Sequence, residues 1–188
     1  MTHAIILGGF GGQGLKVIGA LLAQAAHQAG KQAMMYNIYA AAIRGGPIFC
    51  TVIVSDEPIL GAPTTLSPTA VLAMDENTVE VYERLMRSGG TLVVNRSLVK
   101  RQPARADIDV VMVPTNEIAE ELGDIKFASM VGLGALIGHT GVVPLEAIRR
   151  CLERTLPAYR HHMIPANERA LRRGAECAGS PSAPAELA

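Results

Sequence analysis

Tryptophan is absent, and aromatic residues make up only 4% of the 188 residues. A core built without large rings must be aliphatic and rich in alanine and glycine, a composition that favours close helix–sheet packing. Charge is also scarce. Charged residues stand at 18%, against about 25% in an ordinary soluble domain. Hydrophobic residues reach 49%. So little charge implies that partner subunits cover part of the surface. No sign of charge dominates, with 17 basic and 17 acidic residues. Arg84, Arg87, Arg149, Arg150, Arg154, Arg169, Arg172 and Arg173 are interleaved with Glu80, Glu83, Glu146, Glu153 and Glu168. That pattern makes ion-paired, solvated helix faces and no nucleic-acid footprint.

The three cysteines, Cys50, Cys151 and Cys177, are far apart, with no CxxC. This excludes an iron–sulfur cluster carried by the chain alone and gives no disulfide framework, so the cytoplasm is the expected compartment. Cys50 falls inside a β-rich run and reads as a small buried hydrophobe. No run approaches the length of apolar sequence that a membrane span requires. Met1-Thr2-His3 leads directly into an apolar strand, and no signal peptide is expected. His139, His161 and His162 lack metal-ligand spacing. No nucleophile elbow occurs.

What is present is an alternation of short apolar runs and helical periods. Ala4–Gly8 is a continuous apolar run of the kind used by strands buried on both faces. Leu15, Ile18, Leu21, Leu22, Ala25 and Ala29 follow at helical spacing, and Gly30 closes that helix. Residues 32–37 are a second strand, completing a βαβ unit. Further strands are expected at 48–55, 70–74, 91–94 and 109–113. Asp75 is placed to cap a helix over 76–87, and another helix opens at Pro114 or Thr115. After about residue 125 the pattern is helical only: Met130–Ile137, a helix beginning at Pro144, and an Arg-rich helix over 166–177. The expected fold is α/β, a Rossmann-like, mostly parallel sheet flanked by helices, with a helical C-terminal portion. One domain is expected over 1–177, followed by a disordered tail over 178–188.

Gly9-x-Gly11-x-x-Gly14 sits after a strand and before a helix, the context in which this fingerprint has meaning. Glycines permit positive φ and let backbone N–H groups approach an anion, and the helix start adds partial positive charge. Two readings fit: a phosphate cradle, or a turn needed only for packing. An NAD site requires an acidic residue at the end of the second strand, and Tyr36-Asn37-Ile38 offers none. The loop also lacks the GK[ST] ending of a P-loop. Arg44-Gly45-Gly46 is the second constellation, a guanidinium able to hold a carboxylate or phosphate beside a permissive backbone; a bare surface turn fits it equally. Asp75 and Glu76 read as capping residues. The chain offers a binding loop and no acid/base or nucleophile set.

Gly8-Gly9-Phe10-Gly11-Gly12-Gln13-Gly14 resembles the G-x-GGQG signature of the γ subunit of 2-oxoacid:ferredoxin oxidoreductases. The resemblance continues through Arg44-Gly45-Gly46, Val52–Asp56, Gly89–Val94, Ile118–Gly123, Met130–Ala135 and Asn167–Gly174, and covers about residues 4–176. It implies one subunit of an enzyme that oxidatively decarboxylates a 2-oxo acid with coenzyme A to an acyl-CoA and passes electrons to ferredoxin or another acceptor. Thiamine diphosphate with Mg and the iron–sulfur clusters would lie on partner subunits of α, β and δ type. Carried over, Gly9, Gly11, Gly12, Gln13 and Gly14 would contact coenzyme A phosphates or a neighbouring subunit. Arg44, Gly45 and Gly46 would lie near the cofactor or substrate pocket.

Two departures stand out. Ile38–Ile43 replaces a Tyr-Gly-Pro-Glu-like stretch, and Ser129 replaces the usual Asn before the Met-Val block. The small alanine run suggests a bulkier 2-oxo acid, aromatic or branched, than pyruvate. An indolepyruvate-type subunit and a stand-alone nucleotide- or CoA-binding module are the alternative readings.

Overall fold

Ile5, Ile6 and Leu7 are all but fully buried at consecutive positions. Successive side chains of a strand point to opposite faces, so both faces of this strand must be covered. They are. Ile5 and Leu7 join an apolar cluster with Ile18, Leu22, Val52, Leu72 and Leu136, while Ile6 joins a second one with Val71, Val79, Leu92 and Val94. The sheet between the two clusters is the frame of the molecule.

The computed structural model describes residues 1–39 and 46–179. Among these, six strands form one sheet: β1 (Thr2–Phe10), β2 (Gln32–Tyr39), β3 (Pro47–Ser55), β4 (Ala70–Ala73), β5 (Thr91–Asn95) and β6 (Asp109–Val113). Their order is β2-β3-β1-β4-β5-β6. The β1-β4-β5-β6 half is parallel, whereas β3 runs antiparallel to both β1 and β2. The sheet is therefore mixed and mostly parallel. The βαβ reading needs one correction. The helix after β1, α1 (Leu15–Gln28), does lead to a strand of the same direction, but β3 lies between β1 and β2. Only residues 40–46 separate β2 from β3, and Tyr39 pairs with Ile48. A connection that short can join only antiparallel neighbours.

Local signals explain most element ends. α1 closes as expected at Gly30: Gly30 N–H donates to His27 O at 3.0 Å and Lys31 N–H to Ala26 O at 2.9 Å. This pair of bonds satisfies carbonyls that the helix leaves free. Asp75 caps α2 (Glu76–Tyr82), its Oδ1 accepting from Thr78 N–H at 2.8 Å. α2 is shorter than the expected helix over 76–87. The carbonyls of Glu83 and Met86 accept from the Arg105 guanidinium at 2.9 and 2.7 Å. They are thus engaged by a distant segment and not by a further helical turn.

The C-terminal part is helical, as the pattern required. It comprises α3 (Thr115–Glu121), a short 3-10 turn Ile125–Phe127, α4 (Ala128–Thr140), α5 (Leu145–Thr155), a 3-10 segment Ala158–Met163 and α6 (Ile164–Cys177). α4 and α6 pack backbone against backbone. A Cβ placed on Gly134 would collide with the Leu171 carbonyl, and one on Gly174 with the Val131 carbonyl. No helix of the described residues is long and apolar enough to cross a membrane.

Candidate functional site

β1 carries its pairing with β3 through Phe10, opposite Pro47, so Gly8 and Gly9 belong to the strand. The connecting turn is only Gly11–Gly14. Gly11 N–H donates to Gly46 O at 3.0 Å, which ties the turn to the start of β3. Gln13 folds back over the turn, its Oε1 accepting the Phe10 N–H at 2.7 Å. The space a Cβ on Gly9 would need is filled by that same oxygen and by Met74 Cβ at 2.9 Å. Gly11 therefore belongs to the turn, and Gly9 and Gly46 support it from its flanks.

Gly12 and Gly14 have φ of +98° and +82°, a region that L side chains rarely adopt. Gly14 is also the N-cap of α1. No side chain caps this helix end, and its first turn holds no acidic residue. Its N–H donors and partial positive charge are thus uncompensated by any carboxylate of that turn.

This helix start opens on a cleft of about 270 Å³, lined by Gly12, Gln13, Gly14, Lys126, Ser129, Arg160 and Asn167 over an apolar floor of Val17, Ile18, Phe127, Met130 and Met163. Ser129 and Asn167 are 5% and 8% exposed. Asn167 Nδ2 donates to Met163 O at 2.9 Å, which fixes the carboxamide by its nitrogen. Lys126 Nζ lies 3.2 Å from Asp124 Oδ2, yet its side chain is 73% exposed. The Arg160 guanidinium sits 5.4 Å from the Tyr159 ring centroid. His161 anchors that segment through a hydrogen bond of 3.0 Å from Nε2 to Leu156 O. A second cavity of about 220 Å³ lies beyond Gly12, Gln13 and Lys126, against Met74, Leu98, Asn116, Ile125 and Ala128.

Of the residues the sequence singled out, Gly12, Gln13 and Gly14 line the cleft. Arg44 and Gly45, with the Ala40–Ala42 run, lie outside the described residues, as do residues 180–188 of the expected tail. Lys126, Arg160 and Asn167 escaped sequence reasoning. The basic Arg160-His161-His162 run after Pro157 was the available signal for one of them.

The charged residues of the cleft lining are Lys126 and Arg160, an arrangement suited to an anion. No hydrogen bond to a base activates Ser129 among the described residues. Cys50 is buried beneath α1, and burial pushes its thiol up to about 12, far from thiolate chemistry at neutral pH. The sheet order also bears on the missing acid for NAD. On one side of β1 stands antiparallel β3, which begins, not ends, next to the glycine turn. On the other side parallel β4 ends level with Gly8, and the carboxylate that follows it, Asp75, is engaged as the cap of α2.

Residues 4–177 match the model of the family described as pyruvate ferredoxin/flavodoxin oxidoreductase. The chain is 31% identical over 162 residues to the 2-oxoglutarate synthase subunit KorC of Methanocaldococcus jannaschii, covering 84% of this chain and 85% of that one. It is 34% identical over 175 residues to the pyruvate synthase subunit PorC of Thermotoga maritima, covering 89% and 90%. The crystal structure of a keto/oxoacid ferredoxin oxidoreductase γ subunit from Geobacter sulfurreducens superposes with a TM-score of 0.80 at 30% identity, over 94% of this chain and 98% of that one.

Proposed function

This chain belongs to the pyruvate ferredoxin/flavodoxin oxidoreductase family, as a subunit of a 2-oxoacid oxidoreductase, and from that premise we propose that it is the γ subunit that helps to bind coenzyme A and to close the active site. The complex would convert a 2-oxo acid and coenzyme A to an acyl-CoA and carbon dioxide, passing two electrons to ferredoxin or a similar acceptor. One observation carries the role of this subunit. The uncapped start of α1, with Gly12 and Gly14 in left-handed backbone, faces a cleft that also holds Lys126 and Arg160. N–H donors and cations converging on one cleft suit a diphosphate.

The catalytic groups belong to partners in this reading. Among the described residues no three His, Cys, Asp or Glu side chains gather to hold a metal. Thiamine diphosphate with its Mg ion and the iron–sulfur clusters would be held by α-, β- and δ-type subunits. The surface supports such company. Met34, Tyr36 and Ile38 form an exposed apolar stripe on edge strand β2, and Leu60 and Leu66 are 96% and 85% exposed. Apolar surface of that kind favours burial against another chain.

Gly12→Val in the assembled oxidoreductase tests the cradle. A Cβ at Gly12 meets nothing within 4 Å, so the side chain intrudes on the cleft and not on the core, and the φ of +98° confines the strain to the turn itself. The KM for coenzyme A is expected to rise at least about tenfold, about 1.4 kcal/mol, with assembly retained. An unchanged KM would remove coenzyme A from this cleft.

A further inference from the structure

We infer that Arg160 reads the 3′-phosphate of coenzyme A and so sets the preference of the complex for coenzyme A over dephospho-coenzyme A. The inference rests on the reading that coenzyme A occupies the cleft, and it adds a direction and a specificity residue.

The cleft has two cationic positions, and they differ. Lys126 lines both this cleft and the adjoining cavity and shares that boundary with Gly12 and Gln13. It belongs with the helix start, where one diphosphate would be held. Arg160 lines only the larger cleft, on the wall formed by the 3-10 segment between α5 and α6. Among the described residues no carboxylate pairs with it, and its guanidinium rests against the Tyr159 ring. A planar, always-charged fork without a protein anion is suited to a terminal phosphate.

The wall near Arg160 is built for a polar ligand. Ser129 and Asn167 are each more than nine-tenths buried, line the cleft, and keep the Ser129 hydroxyl and the Asn167 Oδ1 without a protein hydrogen-bond partner among the described residues. Both oxygens are therefore free to bond a ligand in the cleft. A sugar hydroxyl and a nucleobase amine would satisfy them. The adenosine 3′-phosphate end of coenzyme A brings both, together with the dianion that Arg160 lacks. The adjoining cavity, where Met74, Leu98, Ile125 and Ala128 join Asn116 and the shared Gln13 and Lys126, suits the less charged pantetheine arm.

The test uses the assembled oxidoreductase, with coenzyme A and dephospho-coenzyme A as alternative acyl acceptors and calorimetry of their binding as the second readout. Arg160→Ala is expected to raise the KM and Kd for coenzyme A about tenfold or more and to leave those for dephospho-coenzyme A unchanged. Lys126→Ala is expected to weaken both ligands alike. Unchanged coenzyme A binding in Arg160→Ala, or an equal loss for both ligands, would overturn the inference. If Gly12→Val weakens both ligands while Arg160→Ala weakens neither, only the 3′-phosphate assignment fails. If Gly12→Val weakens neither, the cleft reading itself fails.

Discussion

Gln13 Oε1 accepts the Phe10 N–H at 2.7 Å across the turn that joins β1 to α1. Gln13 is thus a strut of the glycine turn as well as a wall of the cleft, and the two roles separate by substitution. Gln13→Ala removes the acceptor and is expected to cost about 0.5–1.5 kcal/mol of stability. Gln13→Glu keeps an acceptor oxygen and is expected to retain stability, but it sets a carboxylate beside the proposed phosphates. A several-fold higher KM for coenzyme A should follow. Denaturant titration and steady-state kinetics of both variants check this, and an unchanged KM for Gln13→Glu would move the phosphates away from Gln13.

Gly14 and Gly12 should not be equivalent. Both have positive φ, which costs an L residue roughly 1–2 kcal/mol. A Cβ on Gly14 would in addition lie 2.9 Å from Ser129 Oγ, whereas Gly12 faces open space. Gly14→Ala is therefore expected to lower the unfolding midpoint more than Gly12→Ala does. Adding Ser129→Gly should shrink the Gly14→Ala penalty and leave the Gly12→Ala penalty untouched. A double-mutant cycle in urea measures that coupling, and additivity would show that Ser129 does not press on Gly14.

Much of this geometry was legible in the residues themselves. The glycine turn, the Asp75 cap and the Gly30 helix end are local events, written in a few neighbouring side chains. The place of β3 was not. A β-rich run marks Ile48–Ser55 as a strand, but strand pairing depends on connection length and on which faces need cover. Lys126 and Arg160 were missed for the same reason. Neither has a local motif, and only the packing of α4 and α5 against α1, with α6 against α4, brings them to Gly12–Gly14.

The α4–α6 contact sets how closely the cleft's far wall approaches. The Gly134 position abuts the Leu171 carbonyl and the Gly174 position the Val131 carbonyl. Backbone cannot yield as a side-chain tip does. Gly134→Ala and Gly174→Ala are each expected to destabilise by about 2 kcal/mol or more, beyond the usual gain from replacing a helical glycine. Because α6 carries Asn167, surviving protein should also bind coenzyme A more weakly. Thermal melts of the two variants test this, and wild-type melting would mean that the helices part at little cost.

Acid should loosen the same corner of the molecule. Glu146 opens α5 and accepts from Arg149 Nε at 2.8 Å and Nη2 at 2.6 Å, while Arg149 Nη1 reaches Glu168 of α6 at 3.1 Å. The hydrogen bonds from Arg149, with the nearby charges of Arg149 and Arg150, hold the Glu146 carboxyl down at about 2. A carboxyl lowered on folding stabilises fully above its unfolded value of about 4.3 and loses that contribution as pH falls through the folded one. Glu146→Gln is thus expected to be less stable than the wild type at pH 7, by an amount that narrows below about pH 4 and vanishes near pH 2. Because the pair is exposed, added salt should shrink the difference at neutral pH. Urea midpoints of both proteins from pH 7 to pH 2 decide the matter, and a gap that stays constant across that range would show that the Arg149 pairing contributes nothing to holding α5 against α6.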